Sequence, residues 1–170
     1  MSKVKEKWTW QRVVKEVLTT LVLFFIISQV VNFIRKPDIQ TSIYAYELND
    51  IKNEEIDFFE YKDEPLIVHF WATWCPTCKL EASNIQTLSN NHNVISIAVN
   101  SGTNEELSQY MSEHDFDYRV INDANSALAQ KFNIGAYPTT LIYNAKGELK
   151  FTEVGYSTTL GLQARLELIK

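Results

Sequence analysis

Residues 66–79 read LIVHFWATWCPTCK, an unbroken apolar run from Leu66 to Trp71 followed by a short loop and the chain's only two cysteines, Cys75 and Cys78. A strand with one wet face would alternate polar and apolar residues, so this run predicts a central strand covered on both faces. Pro76, directly after the first cysteine, suits the first turn of a helix, where its missing N–H leaves no bond unmade. The stretch therefore predicts strand, loop and helix, with two thiols at the passage from loop into helix.

The same alternation continues outward. NVISIAVN, Asn93 to Asn100, reads as a second buried strand, and TLIYN, Thr140 to Asn144, as the start of a third. Asn144, Ala145, Lys146 and Gly147 supply turn chemistry, and Glu148 to Gly155 alternates well enough to pair back as a hairpin. Thr103 with Glu106 forms a capping box, after which Leu107, Tyr110, Met111 and His114 make one helical face. Asp123 is placed to cap a helix with Leu128 and Phe132 inside, and a last helix turns Leu162, Leu166 and Ile169 inward. Residues 37–50 read as a linker entering an edge strand. The expected fold class is α/β, a mixed central sheet flanked by helices.

The chain's 170 residues suit one globular domain with something appended. Its net charge of -5 conceals a division: residues 1–36 hold seven Lys and Arg against two Glu, whereas residues 37–170 hold nine against nineteen Asp and Glu. So acidic a domain repels nucleic acid, which is excluded as a partner. Val17 to Ile34 contains no charge over eighteen residues. As a helix it would be about 27 Å long, close to the roughly 30 Å apolar core of a bilayer. Lys3, Lys5, Lys7, Arg12 and Lys15 precede it, which keeps the N-terminus in the cytoplasm and sends the rest outside. No small-x-small cleavage site follows the run. The expected organisation is a cytoplasmic N-terminus and lipid-embedded transmembrane anchor over residues 1–36, and an extracytoplasmic domain over residues 37–170.

Three roles compete for the cysteines. A disulfide closing so short a loop removes little chain entropy, so a structural staple gains almost nothing. A zinc site needs four ligands, and the chain adds only His69, His92 and His114, two of them on apolar faces, so no metal is expected. The redox role accounts for the neighbours too. At a helix N-terminus, unpaired amides and the helix dipole favour a thiolate at Cys75. Lowering a thiol pKa from about 8.5 toward 7 costs roughly 2 kcal/mol and brings about half of it to the thiolate at neutral pH. Cys75 is then an exposed nucleophile and Cys78, one turn deeper, the resolving thiol. No cofactor is called for.

WATWCPTCK, followed about sixty residues later by GAYPTTLIYNAKGEL, resembles the thioredoxin superfamily and its membrane-anchored TlpA and ResA branch over roughly residues 40–170. Asn93 through Gly161 is most similar to the bacterial suppressor of copper sensitivity D proteins within that branch. The resemblance implies a thioredoxin fold, a cis Tyr137–Pro138 bond lying against the cysteines, and an enzyme exchanging dithiol for disulfide in other proteins. It also implies location in the bacterial inner membrane with the catalytic domain in the periplasm, and a membrane protein as electron donor. Cytoplasmic thioredoxins bury a proton-relaying aspartate where this chain has His69; the branch has a proton-handling glutamate where this chain has Glu81. Glu81 is alternatively a solvated acid on the first helical turn, and His69 a hydrogen-bonded core residue. Trp74, Pro76, Thr77 and Tyr137 are the candidate substrate contacts, with Trp74 as an apolar lip and Tyr137 offering its backbone to a substrate strand. Alternatives are reduction of apocytochrome c thiols, whose reductases carry Pro-Glu where this chain has Pro138-Thr139, and Cu(I) binding by the two thiolates in copper tolerance.

Overall fold

The computed structural model describes residues 10–34 and 46–169. The chain divides between Arg35 and Lys36 into two units.

The first unit is a single helix, α1 (Trp10–Ile34). The expected membrane run, Val17 to Ile34, lies wholly on it. Leu18, Leu21, Val22, Leu23, Phe24, Phe25, Ile26 and Ile27 are all exposed, an apolar surface that runs around the helix instead of forming one stripe. Thr19 and Thr20 turn their hydroxyls back onto the carbonyls of Lys15 and Glu16, so their polar atoms are satisfied within the helix. The side chains of 28–34, like residues 1–9 and the linker residues 35–45, lie outside the described residues. Among the described residues no helix is long and apolar enough to cross a membrane.

The second unit carries β1 (Glu47–Asn49), β2 (Glu55–Asp57), β3 (Leu66–Trp71), α2 (Pro76–Ser89), β4 (Asn93–Val99), α3 (Asn104–Glu113), β5 (Arg119–Asp123), α4 (Ala127–Lys131), β6 (Thr139–Tyr143), β7 (Leu149–Val154) and α5 (Thr159–Glu167). A five-stranded sheet runs β5-β4-β3-β6-β7, with β3 parallel to β4, β4 parallel to β5, and both β3–β6 and β6–β7 antiparallel. This mixed sheet is the thioredoxin fold that the resemblance implied. β1 corrects the edge-strand expectation: it pairs only with β2, in a separate two-stranded ribbon.

β3 is central and buried at all six positions, as its apolar run predicts. Its side chains alternate between two cores. Ile67 and Trp71 join Cys78, Ile85 and Leu88 of α2, Leu107 and Met111 of α3, and Leu162 and Leu166 of α5. Leu66, Val68 and Phe70 join Ala129 and Phe132 of the α4 region, with Tyr46, Ile56 and Phe58. Both predicted caps form: Thr103 and Glu106 complete a capping box, and the Asp123 carboxylate accepts from the Leu128 and Ala129 amides. His114 departs from expectation. The helix ends before it reaches the core face, so the residue is the exposed C-cap of α3, its ring stacked between Tyr110 and Phe116.

Candidate active site

The strand, loop and helix of residues 66–89 deliver both cysteines to one place. Cys75 is the N-cap of α2, with extended backbone, and Pro76 opens the helix behind it. The Cys78 amide points at the Cys75 sulfur and donates to it over 3.2 Å, meeting one of the N–H groups that a helix start leaves without a backbone partner. A disulfide joins the two cysteines. Charge on Cys75 Sγ therefore faces an amide and the positive end of a helix of fourteen residues.

The surface of the site differs from the sequence expectation in one respect. Cys75 is only 5% exposed and Cys78 1%, so the sulfur expected to be the exposed nucleophile is recessed, not open. What covers it is the segment before β6. The Tyr137–Pro138 bond is cis, and the Tyr137 carbonyl oxygen lies 3.6 Å from Cys75 Sγ. The β3–β6 register pairs Phe70 with Thr139, which brings Tyr137 and Pro138 level with the loop that follows β3. Pro138 in turn accepts from the Gly155 amide at 2.8 Å, tying β7 to the same rim.

Trp74 forms the rest of the lip. It is 56% exposed, its ring meets Tyr137 edge to face at 5.8 Å, and its indole N–H donates to the Asn100 carbonyl at 3.0 Å. The loop is fastened again where the Thr73 amide donates to Ser101 Oγ at 3.0 Å. Asn100 and Ser101 were not foreseen, because polar residues at a strand end carry no motif. Trp71, by contrast, is core: buried, with its N–H on Ser96 Oγ at 3.1 Å. Pro76 is exposed and Thr77 half-buried at the first turn of α2.

Glu81 overturns the reading of a solvated first-turn acid. It sits in the second turn, one turn beyond Cys78 on the same face by helical spacing, and is fully buried. Oε1 accepts from the Ser157 amide at 3.0 Å, and Oε2 is buried with no partner. Burial pushes its carboxyl up to about 7, and the Ser157 amide holds it back from rising further. A buried carboxyl poised near neutrality, one turn from a thiol pair, has the proton equilibrium that acid–base work requires.

His69 is the hydrogen-bonded core residue its strand position suggests. It is buried mid-strand, with Nδ1 2.9 Å from Thr140 Oγ1, and burial lowers it to about 3, so the imidazole is neutral at working pH. Thr139 is equally structural, donating to the Ala136 carbonyl at 2.8 Å. Among the described residues, no three His, Cys, Asp or Glu gather into a group that could hold a metal ion.

The geometry can thus hold a stabilised thiolate and a second sulfur within bonding reach, with a buried carboxyl one helical turn beyond. The profile of the family described as Redoxin matches residues 36–165. A thioredoxin-like protein of Haemophilus influenzae is 25% identical over 92% of this chain and 94% of its own length. The thiol-disulfide oxidoreductase ResA of Geobacillus kaustophilus is 25% identical over 74% of each chain, and supports the TlpA and ResA branch. The crystal structure of StoA from Bacillus subtilis superposes with a TM-score of 0.63 at 22% identity, covering 73% of this chain and 98% of StoA, which shows the shared fold.

Proposed function

The chain belongs to the Redoxin family, and from that premise we propose that it reduces protein disulfides outside the cytoplasmic membrane, with Cys75 as nucleophile and Cys78 as resolving thiol. Its relatives are thiol-disulfide oxidoreductases of the same fold, and this chain is one too. The observation that carries the division of labour is the Cys78 amide on Cys75 Sγ at the start of α2, which favours the thiolate on Cys75 alone.

The reaction runs in two exchanges. Cys75 thiolate attacks one sulfur of a client disulfide, forming a mixed disulfide and expelling the client's other sulfur as thiolate. Cys78 then loses its proton to Glu81 and attacks Cys75 Sγ, which releases the second client thiolate; the Glu81 proton passes to a departing sulfur. The other departing thiolate takes from water the proton that Cys75 gave up on ionising, so the client disulfide is reduced to two thiols while the Cys75–Cys78 dithiol becomes the disulfide. While the mixed disulfide lasts, the Tyr137 backbone and the Trp74 lip flank the bound client segment. A membrane electron donor restores the dithiol.

Placement outside the cytoplasm rests on the basic N-terminus, the charge-free run of residues 17–34, and the apolar exposure around α1, which water would penalise and lipid would not. The acidic second unit then lies on the side where protein disulfides persist. Similarity to the copper-sensitivity suppressor proteins makes clients of copper-stressed cells the first to examine.

Replacing Cys78 with Ala in the full chain should accumulate client proteins on Cys75 as mixed disulfides. If living cells yield none, and the purified parent chain also leaves protein disulfides intact, the proposal fails. A pair potential well below about -200 mV supports the reducing direction; one near -120 mV reverses it.

A further inference from the structure

Asn84 stands one turn beyond Glu81 on α2, and together their side chains take both backbone polar groups of Ser157. Glu81 Oε1 accepts its N–H at 3.0 Å, and Asn84 Nδ2 donates to its carbonyl at 2.9 Å. The same Nδ2 reaches the Tyr156 phenol oxygen at 3.1 Å, and Asn84 Oδ1 accepts from the Thr159 hydroxyl at 3.1 Å. One half-buried amide side chain thus holds the connection between β7 and α5 at three points. That connection has its own ties at each end, Gly155 to Pro138 and the Thr158 cap to Gly161, but neither fixes the Ser157 amide.

We propose that Asn84 is a positioning residue for the exchange reaction: it holds the Ser157 amide against Glu81 Oε1 and so leaves Oε2 as the one oxygen through which a proton passes to and from the cysteine pair. The inference rests on the proton-carrying role proposed for Glu81. The buried, partnerless Oε2 is what the arrangement produces, because a carboxylate free to rotate would present either oxygen to either neighbour. Titratable groups on the neighbouring elements are Cys75, Cys78 and the exposed Lys79 at the start of α2, Tyr156 in the connection, neutral His69 on β3, and the Glu153–Arg165 pair of β7 and α5. The last two are engaged with each other at 2.6 Å. None of these donates to Glu81; the Ser157 amide does, and Asn84 keeps it there.

The test is the pH dependence of protein-disulfide reduction by the reduced full chain in detergent micelles, for the parent and for Glu81→Gln, Asn84→Ala and Thr159→Val. Ionisation of Cys75 gives every variant one acid limb; Glu81 adds a second, which Glu81→Gln should remove. Asn84→Ala, deprived of the amide that stabilises the carboxylate, should shift that limb to higher pH by about one unit, a tenfold change in proton affinity. Thr159→Val, which loses one of three ties, should shift it less. In the Glu81→Gln background Asn84→Ala should change nothing further. Should Asn84→Ala slow the reaction equally at every pH while Glu81→Gln still removes the limb, Asn84 is a structural residue only and the inference is lost. If the second limb survives Glu81→Gln, or the parent shows the Cys75 limb alone, the role of Glu81 itself is lost, and this inference with it.

Discussion

The Cys78 amide donates to Cys75 Sγ over 3.2 Å, so the backbone of one cysteine stabilises charge on the side chain of the other. The two thiols cannot then be equivalent. In the reduced chain, absorbance near 240 nm should show Cys75 ionising well below the ordinary thiol value of about 8.5, and Cys78, sunk in apolar surroundings, above it. Cys75→Ser should abolish the lower titration. Its survival in that variant would reverse the roles of the two residues.

Glu81 should make the folded chain sensitive to pH in an unusual direction. Its folded value of about 7 lies above its unfolded value of 4.5, so the folded chain holds the extra proton between them and stability falls as pH rises through that window. The full effect is on the order of 3 kcal/mol, complete above about pH 8. Denaturant unfolding of the oxidised chain at pH 4.5 and pH 8, parent against Glu81→Gln, should show the decline in the parent and its loss in the variant.

His69 predicts the opposite slope. Held near 3 by burial, it stays neutral while the unfolded chain takes up a proton below 6.5, so its share of stability is lost as pH falls from there. His69→Leu should lose less stability than the parent between pH 7 and pH 5. Thr140→Val, which strips the partner from Nδ1, should cost about 1–3 kcal/mol at neutral pH for the buried group it leaves unpaired.

Trp74 should matter to clients and hardly to folding. More than half of it is exposed, its ring meeting Tyr137 edge to face and its N–H the Asn100 carbonyl. Trp74→Ala is expected to change the melting temperature by no more than a few degrees, since a 1 kcal/mol loss moves a domain of this size by about 4 °C. It should slow the reduction of protein disulfides several-fold while sparing a small aromatic disulfide. Equal loss on both would make Trp74 part of the sulfur chemistry.

What could be read in the sequence was whatever local chemistry enforces. LIVHFW had to be central because nothing in it tolerates water, and Thr103 with Glu106 had to start a helix because two amides needed those side chains. The cysteine pair was legible for the same reason, and the family resemblance supplied the cis bond at Pro138. What depended on distant packing was not legible. The sequence left Glu81 between a wet acid and the proton-handling glutamate of its branch, and its burial shows only when β7 and α5 bring Ser157 over it; Asn84 shows nothing until the same connection arrives. Nor does His114 reveal that α3 ends a residue short of the core. The ribbon of β1 and β2 escaped because three-residue strands leave no periodicity to detect.

The recess around Cys75 has a consequence for quality control. A sulfur with so little surface disfavours a disulfide locked in a compact, finished protein, since Trp74 and the Tyr137 carbonyl stand at its rim. A bond carried on a segment that can leave its own fold fits that recess more readily. On the proposed role, access itself then sorts clients, sparing mature bonds and unmaking those in chains that have not yet settled, without any recognition sequence.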